Sequence, residues 1–380
     1  MTARTVDATD FDQLRAQVQA EVLARLPDCI ERMRCSREQV EASQREGLRA
    51  LLANAIENSP FHHSRLGDVD PSRFDLPDLK GLPVMSKTEM MESLDDVFTD
   101  RRLNRRLVEQ ALAVTATEPV PILGRYTALA SGGVSGQRGV FVYDPGAVAG
   151  YTSSLTRSLM ARLRTLGDAA REGLTIGLVA AASAVHGTRS TVAWLAGDAS
   201  PIRATPIPVT LPLSEIVERL NALQPRFLYG YASILVRLAA EQRAGRLQIR
   251  PMSVTSTSET LVDEARAAIA EAFAAPIVDI FGSGEGLVGT SAPDGDVLIF
   301  NSDFCIVELV DAENQPVPPG VPSAKVLLTN VYIHTQPLIR YELTDSFGKR
   351  PDRPSPGTDT GYGKAQALPT TALTQHFGWA

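Results

Sequence analysis

Cysteine is scarce: Cys29, Cys35 and Cys305 are the only three in 380 residues. Their spacing matches no metal-binding pattern, and three thiols make no disulfide framework. They fit a reducing compartment, so the expected location is cytoplasmic. Histidine is sparse too, five residues scattered except for His62-His63, which argues against a histidine-based metal centre. Basic charge is not in excess. The formal net charge of -7 excludes the electrostatic footprint of a nucleic-acid partner or an anionic membrane surface. No apolar run approaches bilayer length, and MTARTVDATDFDQLR at the N-terminus lacks the apolar core of a signal peptide.

What remains is a chain of ordinary globular composition, long enough for two or three packed units. Residues 1–120 read as a mainly helical segment packing on the core. Within it Ser36-Arg37-Glu38-Gln39 is a capping box, followed by the helical stripe Val40, Leu48, Leu51, Leu52, Ala55 and Ile56. Asn58-Ser59-Pro60 stops that helix, and 60 to about 85, rich in proline and aspartate, reads as loop. LPVMSKTEMMESLDDVF reads as a turn into another short helix. Residues 121–290 read as an α/β core. A glycine/serine loop precedes the strand Val140-Phe141-Val142-Tyr143, and LTIGLVAAA is a continuous apolar run suited to a strand covered on both faces. From 212 onward strands and helices alternate: strand Phe227-Leu228-Tyr229, strand Ser253 to Ser256, helices 213–223, 232–244 and 261–274. The expected fold class is therefore α/β, with mainly parallel sheets flanked by helices. Residues 291–345, with Val297–Phe300, Cys305–Val310, Lys325–Thr329 and Leu338–Tyr341 as short strands, read as a small antiparallel β subdomain. Residues 346–380 lose hydrophobic periodicity and read as a disordered tail.

Binding sites in such sheets lie beyond the carboxyl ends of the strands. Three linkers fall there: Gly230-Tyr231, Ser258-Glu259-Thr260, and Gly282 to Glu285. The last closes Asp279-Ile280-Phe281-Gly282-Ser283-Gly284-Glu285, an apolar run bent by two glycines and ended by a carboxylate. This pattern suits a buried strand that delivers an acid to the mouth of a pocket. A phosphate-loop NTPase is a weaker option, because the GK[ST] ending of that loop is missing.

SGGVSG (131–136), TSTSETL (255–261), DIFGSGE (279–285), FCIVELVD (304–311) and PLIRYELTD (337–345) occur in that order. Together they resemble the adenylate-forming superfamily of acyl-CoA synthetases, luciferases and peptide-synthetase adenylation domains. The SETL and PLIRY elements are most similar to the phenylacetate–CoA ligase branch, and the resemblance covers roughly residues 45 to 345. It implies an adenylate-forming large domain that activates an organic acid with ATP and Mg²⁺, giving an acyl-adenylate that passes to a thiol such as coenzyme A or a carrier protein.

The resemblance also implies roles. Ser131, Gly132, Gly133, Ser135 and Gly136 would hold the β- and γ-phosphates. Glu285 would bind Mg²⁺ and serve catalysis, Phe281 would stack on adenine with Gly282 beside it, and Asp279 would lie near the adenine amino group. Ser258 and Glu259 would form a wall of the nucleotide pocket; as an alternative, Thr260 caps helix 261–274. Asp345 would accept hydrogen bonds from the ribose hydroxyls. His186, Tyr229, Gly230 and Tyr231 would border the acid, against the plainer readings of a structural loop histidine and core aromatics. Glu308 reads as a surface residue without chemistry.

This sequence departs from the family pattern in places. Val134 replaces a hydroxyl residue, Arg138 stands one position from the usual cation, Gly284 replaces a threonine or serine, and Thr344 replaces a glycine. No C-terminal domain or hinge is recognisable after Asp345, and neither Lys349 nor Lys364 lies in the setting of the family's catalytic lysine. Two functional expectations follow: an AMP-forming acid–thiol ligase, its turnover impaired without that domain, or a nucleotide- or acyl-adenylate-binding protein on the same core, either regulatory or completed by a partner chain.

Overall fold

The computed structural model describes residues 8–131, 138–165, 174–197, 202–349 and 364–367. Among the described residues six α-helices precede the first strand: α1 (Ala8–Glu31), α2 (Arg37–Asn58), α3 (Pro60–Leu66), α4 (Lys87–Glu92), α5 (Leu94–Val97) and α6 (Arg105–Val114). The capping box at Ser36 is formed: its Oγ accepts from Gln39 N at 3.3 Å and its N–H donates to Gln39 Oε1 at 2.8 Å. Residues 60–66, read as loop, are helical. Ser59 ends α2 and caps α3 through His62 N, and Pro60 fits the first helical position, where no N–H is needed.

Strands β1 (Thr127–Ala130) and β2 (Val140–Tyr143) pair antiparallel, with Thr127 opposite Tyr143. The long helix α7 (Pro145–Thr165) follows. Then strands and helices alternate: β3 (Leu174–Ala180), α8 (Gly187–Leu195), β4 (Ile202–Pro208), α9 (Leu213–Leu223), β5 (Phe227–Gly230), α10 (Ala232–Arg243), β6 (Ser253–Thr257), α11 (Asp263–Phe273) and β7 (Ile277–Gly282). Next come β8 (Val288–Ser291), β9 (Leu298–Phe300), β10 (Cys305–Val310), β11 (Lys325–Asn330), β12 (Tyr341–Leu343), β13 (Phe347–Lys349) and β14 (Lys364–Ala367).

The main sheet has nine strands in the order β13-β14-β9-β8-β7-β6-β5-β3-β4. From β4 to β7 the pairs are parallel, and beyond β7 they are antiparallel. The three-stranded antiparallel sheet β10-β11-β12 stands apart. This is the expected α/β architecture. Helices α9, α10 and α11 cover one face, packing Ile216, Leu220, Leu235, Leu238 and Ile269 on Val179, Leu228 and Val254. Each such fully buried aliphatic contributes roughly 1.5–3 kcal/mol. Helix α7 covers the other face, with Leu163 against Leu174, Ile176 and Phe227.

Three boundaries differ from the sequence reading. Leu298–Phe300 joins the main sheet through β8, with Gly289 opposite Phe300, and not the small sheet. Strand β12 begins at Tyr341 because Arg340 has φ 49°, which breaks the extended run at Leu338. Within 346–380, Phe347–Lys349 and Lys364–Ala367 are strands of the main sheet; 350–363 and 368–380 lie outside the described residues. Among the described residues, no helix is long and apolar enough to cross a membrane.

Candidate active site

Strand β7 carries the sequence that ends in Glu285. Asp279 stands opposite Ser256 in the parallel β6–β7 register. Burial pushes its carboxyl up to about 6, with Arg266 pulling the other way. Phe281 is partly buried, its ring edge-on to Phe300 at 6.1 Å and to Phe347 at 5.2 Å. Gly282 is exposed beside it. The chain then turns tightly: Ser283 N donates to Leu287 O at 3.0 Å, and Gly286 N donates to Ser283 O at 3.1 Å. Gly286 has φ 93°, and a Cβ there would lie 2.3 Å from Asn330 Nδ2 and 2.7 Å from the Tyr332 hydroxyl. Only glycine fits. Asn330 Nδ2 also donates to Glu285 O at 2.8 Å, and the Tyr332 hydroxyl donates to Gly286 O at 3.0 Å. The turn is thus clamped from below.

Glu285 is buried. Desolvation pushes its carboxyl up, Lys87 pulls it down, and Asp345 adds an upward push. The Tyr341 hydroxyl is buried without a hydrogen-bond partner among the described residues, and the Glu285 charge acts on it. Asp345 lies just past β12. It is exposed by surface but closely surrounded; that crowding pushes its carboxyl up, against Lys87.

Lys87 had no role in the sequence reading. It opens α4, where Ser86 forms a capping box: Glu89 N donates to Ser86 Oγ at 3.2 Å, and Ser86 N donates to Glu89 Oε2 at 3.0 Å. The segment before it is laddered onto the β12 region. Met85 N donates to Arg340 O at 3.0 Å, and Glu342 N donates to Met85 O at 2.9 Å. Arg340 pins the same segment from inside, donating to Lys80 O at 2.9 Å and Leu82 O at 2.6 Å. Its other guanidinium edge grips Glu308 with two bonds of 3.0 Å each. Glu308, read as a surface residue, is the counter-ion of this buried arginine. So held, Lys87 Nζ stands 3.5 Å from Ser131 Oγ, which also accepts from Gly139 N at 2.8 Å. One legible signal pointed here: S-K-T-E is a capping box that fixes the lysine at the start of a helix. What that helix faces is a long-range fact.

The structure therefore gathers Ser131, Glu285 and Asp345 around Lys87; Asp279, next to Arg266 of α11, and Phe281, against Phe300 and Phe347, are not among the groups that Lys87 touches or senses. Gly132, Gly133, Ser135 and Gly136 lie outside the described residues. Gly284, where the family pattern has a hydroxyl residue, has a local reason: a Cβ would meet Phe141 Cδ2 at 3.0 Å, and Gly284 O accepts from the Tyr143 hydroxyl at 2.6 Å.

The other expected residues occupy the neighbouring strand ends. Ser258 has φ 64°, and its hydroxyl meets the Thr188 hydroxyl at 3.3 Å. Glu259 takes Ser233 N at 2.8 Å and Ser233 Oγ at 3.0 Å, so it caps the start of α10. Thr260 caps nothing; α11 begins at Asp263, with Val262 at its cap position. His186 is exposed at the start of α8, its imidazole pushed down by partial desolvation and by Arg138. Arg138 itself pairs with Glu109 at 3.1 Å. Tyr229 packs under α7 with Leu159 and Met160, and the Tyr231 hydroxyl accepts from Ala181 N at 2.9 Å. Gly230 is buried against Val179 O.

A small cavity lies between the β1–β2 pair, α7 and α8, lined in part by Leu129, Tyr143, Tyr151, Thr152, Gly187 and Trp194. It adjoins the turn at Glu285: the Tyr151 hydroxyl would be 3.3 Å from a Cβ on Gly282 and 3.6 Å from one on Gly187. Tyr229 and Tyr231 do not line it.

A search of protein-family models found no match for this chain. Among curated proteins, protein CapK of Staphylococcus aureus is 26% identical over 136 residues, 35% of this chain and 29% of CapK. The chain thus matches less than a third of that relative's length. Among solved structures, an open conformation of 2-hydroxyisobutyryl-CoA ligase, in complex with 2-HIB-AMP and CoA, aligns with a TM-score of 0.65 at 19% identity. The alignment covers 88% of this chain and 75% of that one. The same ligase in its postadenylation state, with R3-HIB-AMP, aligns with a TM-score of 0.64 at 18% identity over 88% of this chain and 68% of that one. The chain has the fold of the adenylate-forming ligases.

Proposed function

We propose that this chain adenylates a carboxylic acid with ATP, as the first half of an AMP-forming acid–thiol ligase of the phenylacetate–CoA ligase type. The observation that carries the reading is the convergence of Ser131, Glu285 and Asp345 on Lys87, from four separate segments. Phosphoryl and adenylyl chemistry needs positioned charge more than covalent help. Lys87 and Ser131 supply a cation and a hydroxyl where phosphates would lie. Asp345 at the strand end suits two ribose hydroxyls, and Phe281, a partly buried aromatic, suits a purine ring.

The donor set fits a magnesium ion shared with phosphates. Such an ion needs one protein carboxylate, not a cage, and among the described residues no cluster of three or more His, Cys, Asp or Glu exists. Glu285, buried and partly compensated by Lys87, is that carboxylate. When bound, the ion would neutralise developing phosphate charge. The acceptor in this reading is a thiol, coenzyme A or a carrier protein; its support is the fold likeness alone.

The test is carboxylate-dependent ATP–pyrophosphate exchange across a broad acid panel. Exchange that is lost in Glu285→Ala is the expected result; silence with every acid refutes it. A second reading, nucleotide or acyl-adenylate binding without turnover, draws on Gly284, which lacks the phosphate-assisting hydroxyl and where an added Cβ would press on Phe141 at 3.0 Å. It expects thermal stabilisation by a non-hydrolysable acyl-adenylate, weakened in Asp345→Ala, with no exchange.

A further inference from the structure

The cavity beside Gly282 has a direction. The α8 residues that line it, Gly187, Ser190, Thr191 and Trp194, fall at the i, i+3, i+4 and i+7 positions of one helical face. At the first of them the cavity meets the turn that carries Glu285, because the Tyr151 hydroxyl is close to both Gly187 and Gly282. Seven residues on, about 10 Å along the helix axis, stands Trp194. The α8 side chains between are small, so the indole is the bulk that closes the end away from Gly282.

What holds that indole comes from outside the α/β core. Phe11 of α1 does not line the cavity, but its ring packs on Trp194, with centroids 4.8 Å apart and planes tilted by 58°. Gln19, two turns further along α1, donates from Nε2 to Trp194 O at 2.9 Å and to Ala196 O at 2.7 Å. It thereby satisfies carbonyls that the end of α8 leaves free. The buried stripe Phe11, Leu14, Val18 and Val22 seats α1 on the core. The cavity itself has room for about one water molecule, so an acyl group enters only where a wall gives. The Tyr143 hydroxyl is committed to Gly284 O. Trp194 can turn only as far as Phe11 lets it.

Resting on the adenylation reading, we propose that Trp194 is a specificity-determining residue, against which the apolar end of the acid stops, and that Phe11 of α1 is the positioning residue that fixes it. The assay is pyrophosphate exchange with straight-chain carboxylic acids of rising length. In the parent, kcat/KM should break off beyond one length, by about tenfold for the next methylene. Trp194→Ala and Phe11→Ala move the break to longer acids, the second without any change to a lining side chain, and the KM for ATP stays in place. Val22→Ala, a truncation in the same buried stripe about three turns from Phe11, leaves the break where it was. If an alanine variant does not fold, Trp194→Phe and Phe11→Leu put the same question in a smaller step. Binding is read separately. Trp194 and Trp379 are the two tryptophans of the chain, so in Trp379→Phe the indole emission reports Trp194 alone. Titration of the same acids, with a non-hydrolysable ATP analogue present, should change that emission up to the break and not beyond it. Active exchange with no break in the parent, or with a break that neither variant moves, overturns the proposal and leaves adenylation standing. A break moved by Trp194 variants alone overturns the part given to Phe11. Silent exchange with a length-dependent emission that Phe11→Ala shifts refutes adenylation and leaves the pocket wall standing. Silence in both overturns both.

Discussion

Lys87→Met deletes one charge and almost nothing else. The side chain keeps its length, Ser86 still caps α4, and the main-chain ladder from Met85 to Glu342 is untouched. At acid pH, with the neighbouring carboxyls protonated, stability should therefore change by no more than about 0.5 kcal/mol; at neutral pH it falls, because ionised Glu285 and Asp345 lose their compensating cation. Activity should change far more. The ammonium stands 3.5 Å from Ser131 Oγ. A phosphate oxygen ~4 Å from it would gain ~4 kcal/mol at an effective dielectric constant of ~20. Loss of one preorganised donor of this kind costs about 10²–10³ in rate, the same order. A second consequence separates this role from a packing role. Glu285 loses the charge that holds its carboxyl down, so its already raised pKa rises further. The ionised carboxylate is the working form, and activity falls as pH drops through that pKa. The acid limb of the rate profile must then move to higher pH in Lys87→Met. Steady-state exchange rates across the acid range read both effects. An unchanged rate with an unmoved acid limb would refute the assignment of Lys87.

Arg340→Met leaves the partly buried Glu308 carboxylate and two loop carbonyls without their donor, at a cost of about 1–3 kcal/mol in denaturant unfolding; no measurable loss would show that the arginine does not pin this segment. Gly286→Ala forces a Cβ into Asn330 and Tyr332 at positive φ and should lower stability by about 1–3 kcal/mol, read as a fall in Tm. Gly284→Ser should also lower Tm, and Phe141→Leu in the same chain should recover part of the loss, since the clash is with that ring. Asp279 titrates near 6 in the fold, above its ordinary 3.8, so its ionisation opposes folding above pH 6 and the penalty disappears as pH falls towards 4. Asp279→Asn should therefore be more stable than the parent by about 2 kcal/mol at pH 8 and equal to it near pH 4, as measured by urea unfolding at both.

Local chemistry carried most of the fold. The capping box at Ser36, the apolar run 174–182 and the alternation after 212 are short-range patterns, and each marks an element that formed, the run as strand Leu174–Ala180. Two of the errors share one cause. Leu298–Phe300 and Phe347–Lys349 are strands of three residues each, too short to show a period, and their partners are remote in sequence. The same divide runs through the site. The stretch that ends in Glu285 stood out because glycines and an acid interrupt an apolar strand. Lys87 did not, because its meaning depends on Ser131, Glu285 and Asp345, and no spacing rule joins residue 87 to residue 345. Glu259 shows the converse: a residue picked out by motif also has a plain structural task, capping α10.

The ladder between Met85 and the flanks of Tyr341 makes the lysine and the terminal aspartate two jaws of one caliper. Their gap is set by amide-to-carbonyl rungs, which no side-chain substitution can edit, and by the guanidinium wedged behind them. Slow hydrogen exchange at the Met85 and Glu342 amides should then be lost together, in a single opening event. Arg340 should govern that event, since its carbonyl is one rung of the ladder and its guanidinium grips Glu308 and two loop carbonyls.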